Sequence, residues 1–155
     1  EDAPAPKNTE NRRRLLALAE QFHENPSGSS IREAVEMADS SSSRTIKQTA
    51  LEAFEQRQFA YCARLLRPDS LVAGDDLTRN IRANARFQIG QYISAASDFK
   101  QLQKSFQFKH DARWNFLLCQ LALGNMSIVR PLLAAMLADP DFPYHKNAVE
   151  LSRML

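Results

Sequence analysis

Three windows of this chain can be set beneath one another. Residues 58–66 read QFAYCARLL, residues 91–99 read QYISAASDF and residues 125–133 read NMSIVRPLL. Each opens on an amide residue followed by a large apolar one, and each closes on a large apolar one, at steps of 33 and 34 residues. Positions upstream keep the same phase: Ala50, Ala83 and Leu117, then Phe54, Phe87 and Leu121. The spacing predicts that a helix ends at Arg57, Gly90 and Gly124 in turn and that another begins at once. The two glycines suit a stop that needs positive φ, and Arg57 departs from that pattern. A helix–turn–helix unit of this length cannot bury its apolar face alone, so neighbouring units must stack.

The windows also say what each side chain does. Tyr92 fills the gap beside the preceding helix. Ala95 and Ala96 are expected where two helices cross, because only small side chains allow close approach there. Phe99 plugs the space beyond them.

Strand signals are nearly absent, with no period-2 run of β-branched and aromatic residues and only 4 glycines. Upstream of the repeats, Arg12 to Glu24 carries Leu15, Leu16, Leu18, Ala19 and Phe22 as a one-sided stripe, ended by NPSGSS. Ser30 with Glu33 forms a capping box before a short helix predicted over Ile31 to Asp39, and the serine run at 39–43 ends it. Downstream, Tyr144, Ala148, Leu151 and Leu155 form one apolar stripe, with His145, Lys146, Asn147, Glu150 and Arg153 around it, as a terminal cap requires. The opening EDAPAPKNTE is linker-like, and is read as the start of a piece cut from a longer chain after a signal or anchor.

Bulk properties narrow the function. With 155 residues, 44% of them apolar, one core is within reach. The net charge of +2 lacks the concentrated positive field of a nucleic-acid binder, and the basic triplet Arg12–Arg14 reads as a solvated helix face. No apolar run is long enough to span a membrane. Cys62 and Cys119 lie in apolar helical stretches and read as small hydrophobes rather than a bridge or nucleophile.

Motifs for chemistry are missing. His23, His110 and His145 are scattered without metal-ligand spacing, and there is no glycine-rich phosphate loop and no G-x-S-x-G. Asp75 and Asp76 precede a helix, where capping and dipole duty explain them. Trp114 reads as core. Phe106 and Phe108 are both expected to plug the turn between repeats. These features predict neither catalysis, nor a cofactor, nor a metal, nor a small-molecule substrate.

The step and these residues resemble the tetratricopeptide repeat, whose pattern runs W-x2-L-G-x2-Y, then A-x3-F, then P. The third unit supplies Trp114, Leu117, Leu118 and Leu121, followed by Val129, Leu133 and Pro140, with leucine in the family's glycine and tyrosine places. The second keeps Ala95 and Phe99 and has Phe87 in the tyrosine place, but Asn80 and Asn84 stand at the tryptophan and glycine places. The first has Cys62 and Leu66 for Ala and Phe and ends near Pro68. Each unit's first helix is one residue shorter than the family's. The end of the chain also looks like the last repeat and cap of short repeat domains in bacterial membrane-anchored or secreted proteins.

The resemblance implies an all-α fold: a right-handed α-solenoid of about three helix-turn-helix repeats at 44–72, 75–108 and 110–140. A cap at 143–155 would follow, and an N-terminal helical extension at 11–43 behind a flexible linker at 1–10 would precede. It further implies a non-enzymatic protein–protein interaction module that grips a partner peptide or protein in a concave groove lined by the first helix of each unit. The exposed groove positions would be Gln48, Glu52 and Glu55, then Ile81, Ala85 and Gln88, then Asn115, Cys119 and Ala122. Gln48, Gln88 and Asn115 can pair with a peptide backbone, and with Glu52 and Glu55 they form the expected partner-binding set. The basic clamp that some relatives use for a C-terminal carboxylate does not appear in this groove. The alternative is a self-associating scaffold in an envelope-associated homo-oligomer, motivated by Leu15, Leu18 and Phe22. The expected location is an extracytoplasmic, periplasmic part of a membrane-associated bacterial protein, with the cytoplasm as the alternative.

Overall fold

The computed structural model describes residues 6–26 and 42–155. The expected capping box at Ser30 and Glu33 and the helix over 31–39 lie outside the described residues, as do residues 1–5. Among the described residues the chain is all-helical, with no strand. Its helices are α1 (Pro6–Phe22), α2 (Ser42–Glu55), α3 (Phe59–Leu65), α4 (Asp76–Gln88), α5 (Tyr92–Leu102), α6 (Lys109–Ala122), α7 (Met126–Leu137) and α8 (His145–Met154), with a short 3-10 turn at Asp69–Leu71. Helix α1 starts at Pro6, so residues 6–10 of the expected linker are helical. A proline at the first helical position loses no hydrogen bond and presets φ.

Two compact units divide the chain: residues 24–109, and residues 1–23 together with 110–155. In the first, α2 packs on α3 and α4, α3 on α4, and α4 on α5.

The expected helix stops are present, and they share one geometry. Arg57, Gly90 and Gly124 have φ of 62°, 80° and 75°. The amide after each reaches back five residues: Gln58 to the Ala53 carbonyl at 2.8 Å, Gln91 to Arg86 at 2.8 Å, Asn125 to Gln120 at 2.9 Å. The positive-φ residue itself donates to Phe54, Phe87 and Leu121 respectively, at 3.0, 3.1 and 3.0 Å. This pair of bonds is the Schellman closure, which satisfies carbonyls that a helix end would leave orphaned. Gln58, Gln91 and Asn125 then take φ of −87°, −85° and −82° with ψ of 64°, 63° and 67°, and the next helix begins one residue later. In the first two turns an aromatic pair locks the corner. Phe54 meets Phe59 edge-on at 5.2 Å, and Phe87 meets Tyr92 at 5.1 Å.

The small residues are where the pattern requires them: Ala95 is fully buried, Ala96 nearly so, and Phe99 is sealed from solvent. Phe108 is buried, but Phe106 is 95% exposed, which corrects the expectation that both phenylalanines plug a turn. In KSFQFKH only one of the two side chains finds the core, and the other faces water.

In the second unit Trp114 is buried to 1% exposure. It stacks on Tyr144 with centroids 5.6 Å apart, and Phe22 meets it edge-on at 6.2 Å. The Tyr144 hydroxyl donates to the Asp111 carboxylate at 2.5 Å, fastening the start of α8 to α6. Ala148 and Leu151 of the capping stripe are buried, whereas Leu155 is 39% exposed. Leu15, Leu18, Ala19 and Phe22 of α1 are buried too. No described helix is long and apolar enough to cross a membrane.

Candidate functional site: an arginine-lined cleft

Helix α4 begins with a cap made by an acid. Asp75 accepts from the Thr78 amide at 3.1 Å and from its hydroxyl at 2.7 Å, and Lys47 of α2 approaches the same carboxylate to 2.9 Å. Burial works to raise the Asp75 pKa, but the bonds from Thr78 and Lys47 outweigh it and hold the carboxyl below its ordinary range. The capping reading of Asp75 therefore holds.

From that start, α4 carries Arg79, Arg82 and Arg86. Spacings of three and four residues put all three on one helix face. On α5, Asp98 turns toward them and is 2% exposed. Arg82 grips it side-on, with Nη2 to Oδ1 at 2.6 Å and Nε to Oδ2 at 2.9 Å. Arg86 Nη1 reaches Oδ2 at 2.8 Å, and Arg79 Nη1 reaches Oδ1 at 3.3 Å. Arg82 is itself buried, and its Nη1 also donates to the Leu66 carbonyl at 3.1 Å and meets Asp69 Oδ1 at 3.0 Å. A buried carboxylate needs charge and hydrogen bonds to be tolerated, and Asp98 has both several times over.

The three guanidiniums differ in surroundings. Burial opposes the charge on Arg82, but the bonds and charges of Asp98 and Asp69 outweigh it and raise its pKa. For Arg86, burial dominates, and repulsion from Arg82 adds to it beyond what Asp98 returns, so its pKa is lowered.

A cleft of about 590 Å³ opens over this cluster, walled by the same residues with Arg67, Ser94, Ser97 and Gln101. A second hollow of about 520 Å³ shares Arg67, Arg86 and Ser94 with it and adds Arg64, Ile89 and Gln91. In the first cleft four guanidiniums, those of Arg67, Arg79, Arg82 and Arg86, face two carboxylates, Asp69 and Asp98. The excess is two positive charges in a polar, partly enclosed space. Such a space concentrates anions.

The expected groove residues fare differently. Glu52 and Glu55 are exposed and Gln48 is half-buried. Gln88 is exposed and donates to Asn25 Oδ1 at 3.3 Å. Asn115 is 6% exposed, and Ile81, Ala85 and Cys119 are buried, which corrects their assignment as open groove positions. Helix α4 is buried on most of its circumference, from Leu77 through Phe87, so its apolar and amide positions do not form a free wall. Leu15, Leu18 and Phe22, the motive for self-association, are also buried and offer no sticky face.

In sequence Arg79, Arg82 and Arg86 look like ordinary surface cations, and nothing in their own spacing marks a cluster. The signal was Asp98: an acid in the middle of SAASDF, one place before a core phenylalanine and two after a buried alanine. An acid in that register must be buried and must find cations.

Among the described residues no group of three or more His, Cys, Asp or Glu side chains is arranged to hold a metal ion. No family model matches this chain, and neither a curated protein nor a solved structure matches it.

Proposed function

We propose that this chain is a non-enzymatic protein–protein interaction module of the tetratricopeptide-like, helical-repeat kind, and that it holds an acidic segment of its partner in the arginine-lined cleft of residues 24–109. The repeat reading is supported by the three turns of like geometry at Arg57, Gly90 and Gly124. The observation that carries the functional reading is the excess of two positive charges, four guanidiniums against Asp69 and Asp98, in an open cleft. Guanidiniums present planar, forked donors that match carboxylates bidentately. The binding surface proposed here replaces the amide-lined groove of Gln48, Gln88 and Asn115.

Fluorescence anisotropy of a labelled Asp/Glu-rich peptide tests this. Arg67→Gln or Arg79→Gln should weaken binding by about tenfold, equivalent to about 1.4 kcal/mol, and raising salt should weaken it further. Equal affinity for wild type and both variants removes the cleft from consideration.

A second reading, self-association, now rests on different residues: Phe106 at 95% and Ile93 at 75% exposure. Light scattering separates the two. A monomer at micromolar concentration rejects self-association, and a dimer broken by Phe106→Ser supports it.

A further inference from the structure

The cleft has more to say about its ligand than its sign. Arg82 is spent as a structural post: its donors go to Asp98, the Leu66 carbonyl and Asp69. Arg79 and Arg86 each commit one terminal nitrogen to Asp98. A guanidinium carries five N–H donors, so both keep donors for a guest. Both side chains are partly open, at 19% and 13% exposure. Arg67, Ser94 and Ser97 are exposed and line the same cleft. The oxygens of Asp98 are already engaged by three arginines, so its carboxylate orients them.

Charge selects within the class of anions. A carboxylate brings one negative charge and two acceptor oxygens, and would leave half the excess unmet. A phosphate monoester brings about −1.5 to −2 charges at pH 7 and three acceptor oxygens. That matches the excess of two and the three arginines that retain donors.

Resting on the interaction-module reading above, we infer that the cleft recognises a phosphorylated side chain of the partner segment, with Arg67, Arg79 and Arg86 on its oxygens and Asp98 as the positioning residue that aims Arg79 and Arg86. Of the cleft's two carboxylates Asp69 is the exposed one, at 88%, and would repel the guest.

Isothermal titration of the whole chain tests this with four probes: a Gly/Ala peptide carrying one central phosphoserine, the same peptide with serine, the same with glutamate, and inorganic phosphate. The phosphoserine peptide should bind at least about tenfold more tightly than the glutamate peptide. Arg67→Gln, at an exposed position that leaves the fold alone, should erase most of that difference. Asp69→Asn should raise affinity for the phosphoserine peptide, a gain that a merely structural role for the cluster would not produce. Equal binding of the phosphoserine and glutamate peptides, lost together in Arg67→Gln, overturns the phosphate inference and leaves the acidic-segment reading standing. Inorganic phosphate binding as tightly as the phosphopeptide, and depending on Arg67, means a free-anion site and overturns both. No binding of any probe also overturns the inference.

Discussion

Arg82 and Asp98, each 2% exposed at the side chain, face one another across α4 and α5 with Nη2 to Oδ1 at 2.6 Å. The pair is buried and built into a cluster, so its two halves are not independent. Asp98→Asn leaves Arg79, Arg82 and Arg86 without their common counter-charge, and should cost about 3–5 kcal/mol in urea unfolding. Replacing both partners by leucine should recover only part of that loss, because the Arg82 charge goes with Asp98 while Arg79 and Arg86 stay without their counter-charge. A loss below about 1 kcal/mol for Asp98→Asn would mean that the carboxylate is dispensable to the fold.

Equivalent turn positions should both favour glycine, so that gaining it at one and losing it at another move stability in opposite directions. Arg57 holds φ of 62° as a non-glycine residue, a conformation that costs about 1–2 kcal/mol. Arg57→Gly removes that strain but adds unfolded-chain entropy of about 0.5–1 kcal/mol. It also forfeits the contact of the guanidinium with Phe59 at 5.6 Å. Net stabilisation of about 0.5 kcal/mol is expected. Gly90→Ala should instead destabilise by about 1 kcal/mol. A Cβ there would meet nothing within 4 Å, so the loss would come from backbone strain and not from a clash. Thermal melts of the two variants check the signs.

Acid should act partly through Asp75. Its folded-state pKa lies below the unfolded value of about 3.9. The stability it contributes is therefore fully present above that value and is lost as pH falls through it toward the folded pKa. At pH 7, Asp75→Ala should cost about 1 kcal/mol as a lost helix cap. By pH 3 the gap between wild type and variant should have narrowed. A constant gap across that range would show that the carboxylate's charge is not what caps α4.

Cys62 and Cys119 are buried and unpaired, and burial pushes the Cys62 thiol up to about 12 and Cys119 higher still. Thiolate is the reactive form, so both should resist iodoacetamide at pH 8 in the native state and react promptly in denaturant. Rapid labelling of the native protein would contradict their place in the core.

Much of the architecture was legible because it is written in local chemistry. Glycine at 90 and 124 with an amide residue next, and a large apolar residue after that, specify a helix stop and restart by backbone sterics alone. The paired alanines at 95 and 96 and Trp114 declare burial by size. Exposure was less legible. Asn115 and Cys119 sit at positions that helical phase alone left facing a groove, and tertiary packing buried them. Phe106 went the other way, since one residue of offset in a short turn decides which phenylalanine reaches the core. The cleft is illegible for a related reason: Arg79, Arg82 and Arg86 gain meaning only from a carboxylate 12 to 19 residues downstream.

The most direct test of the binding surface is an NMR titration of the wild-type chain with an acidic peptide, following arginine Nε–H and backbone amide signals. Binding in the cleft predicts saturable shifts at Arg67, Arg79, Arg86 and Ser97, with Gln48, Glu52 and Glu55 unmoved. Shifts confined to Glu52, Glu55 and their neighbours on α2, with the arginines silent, would contradict it.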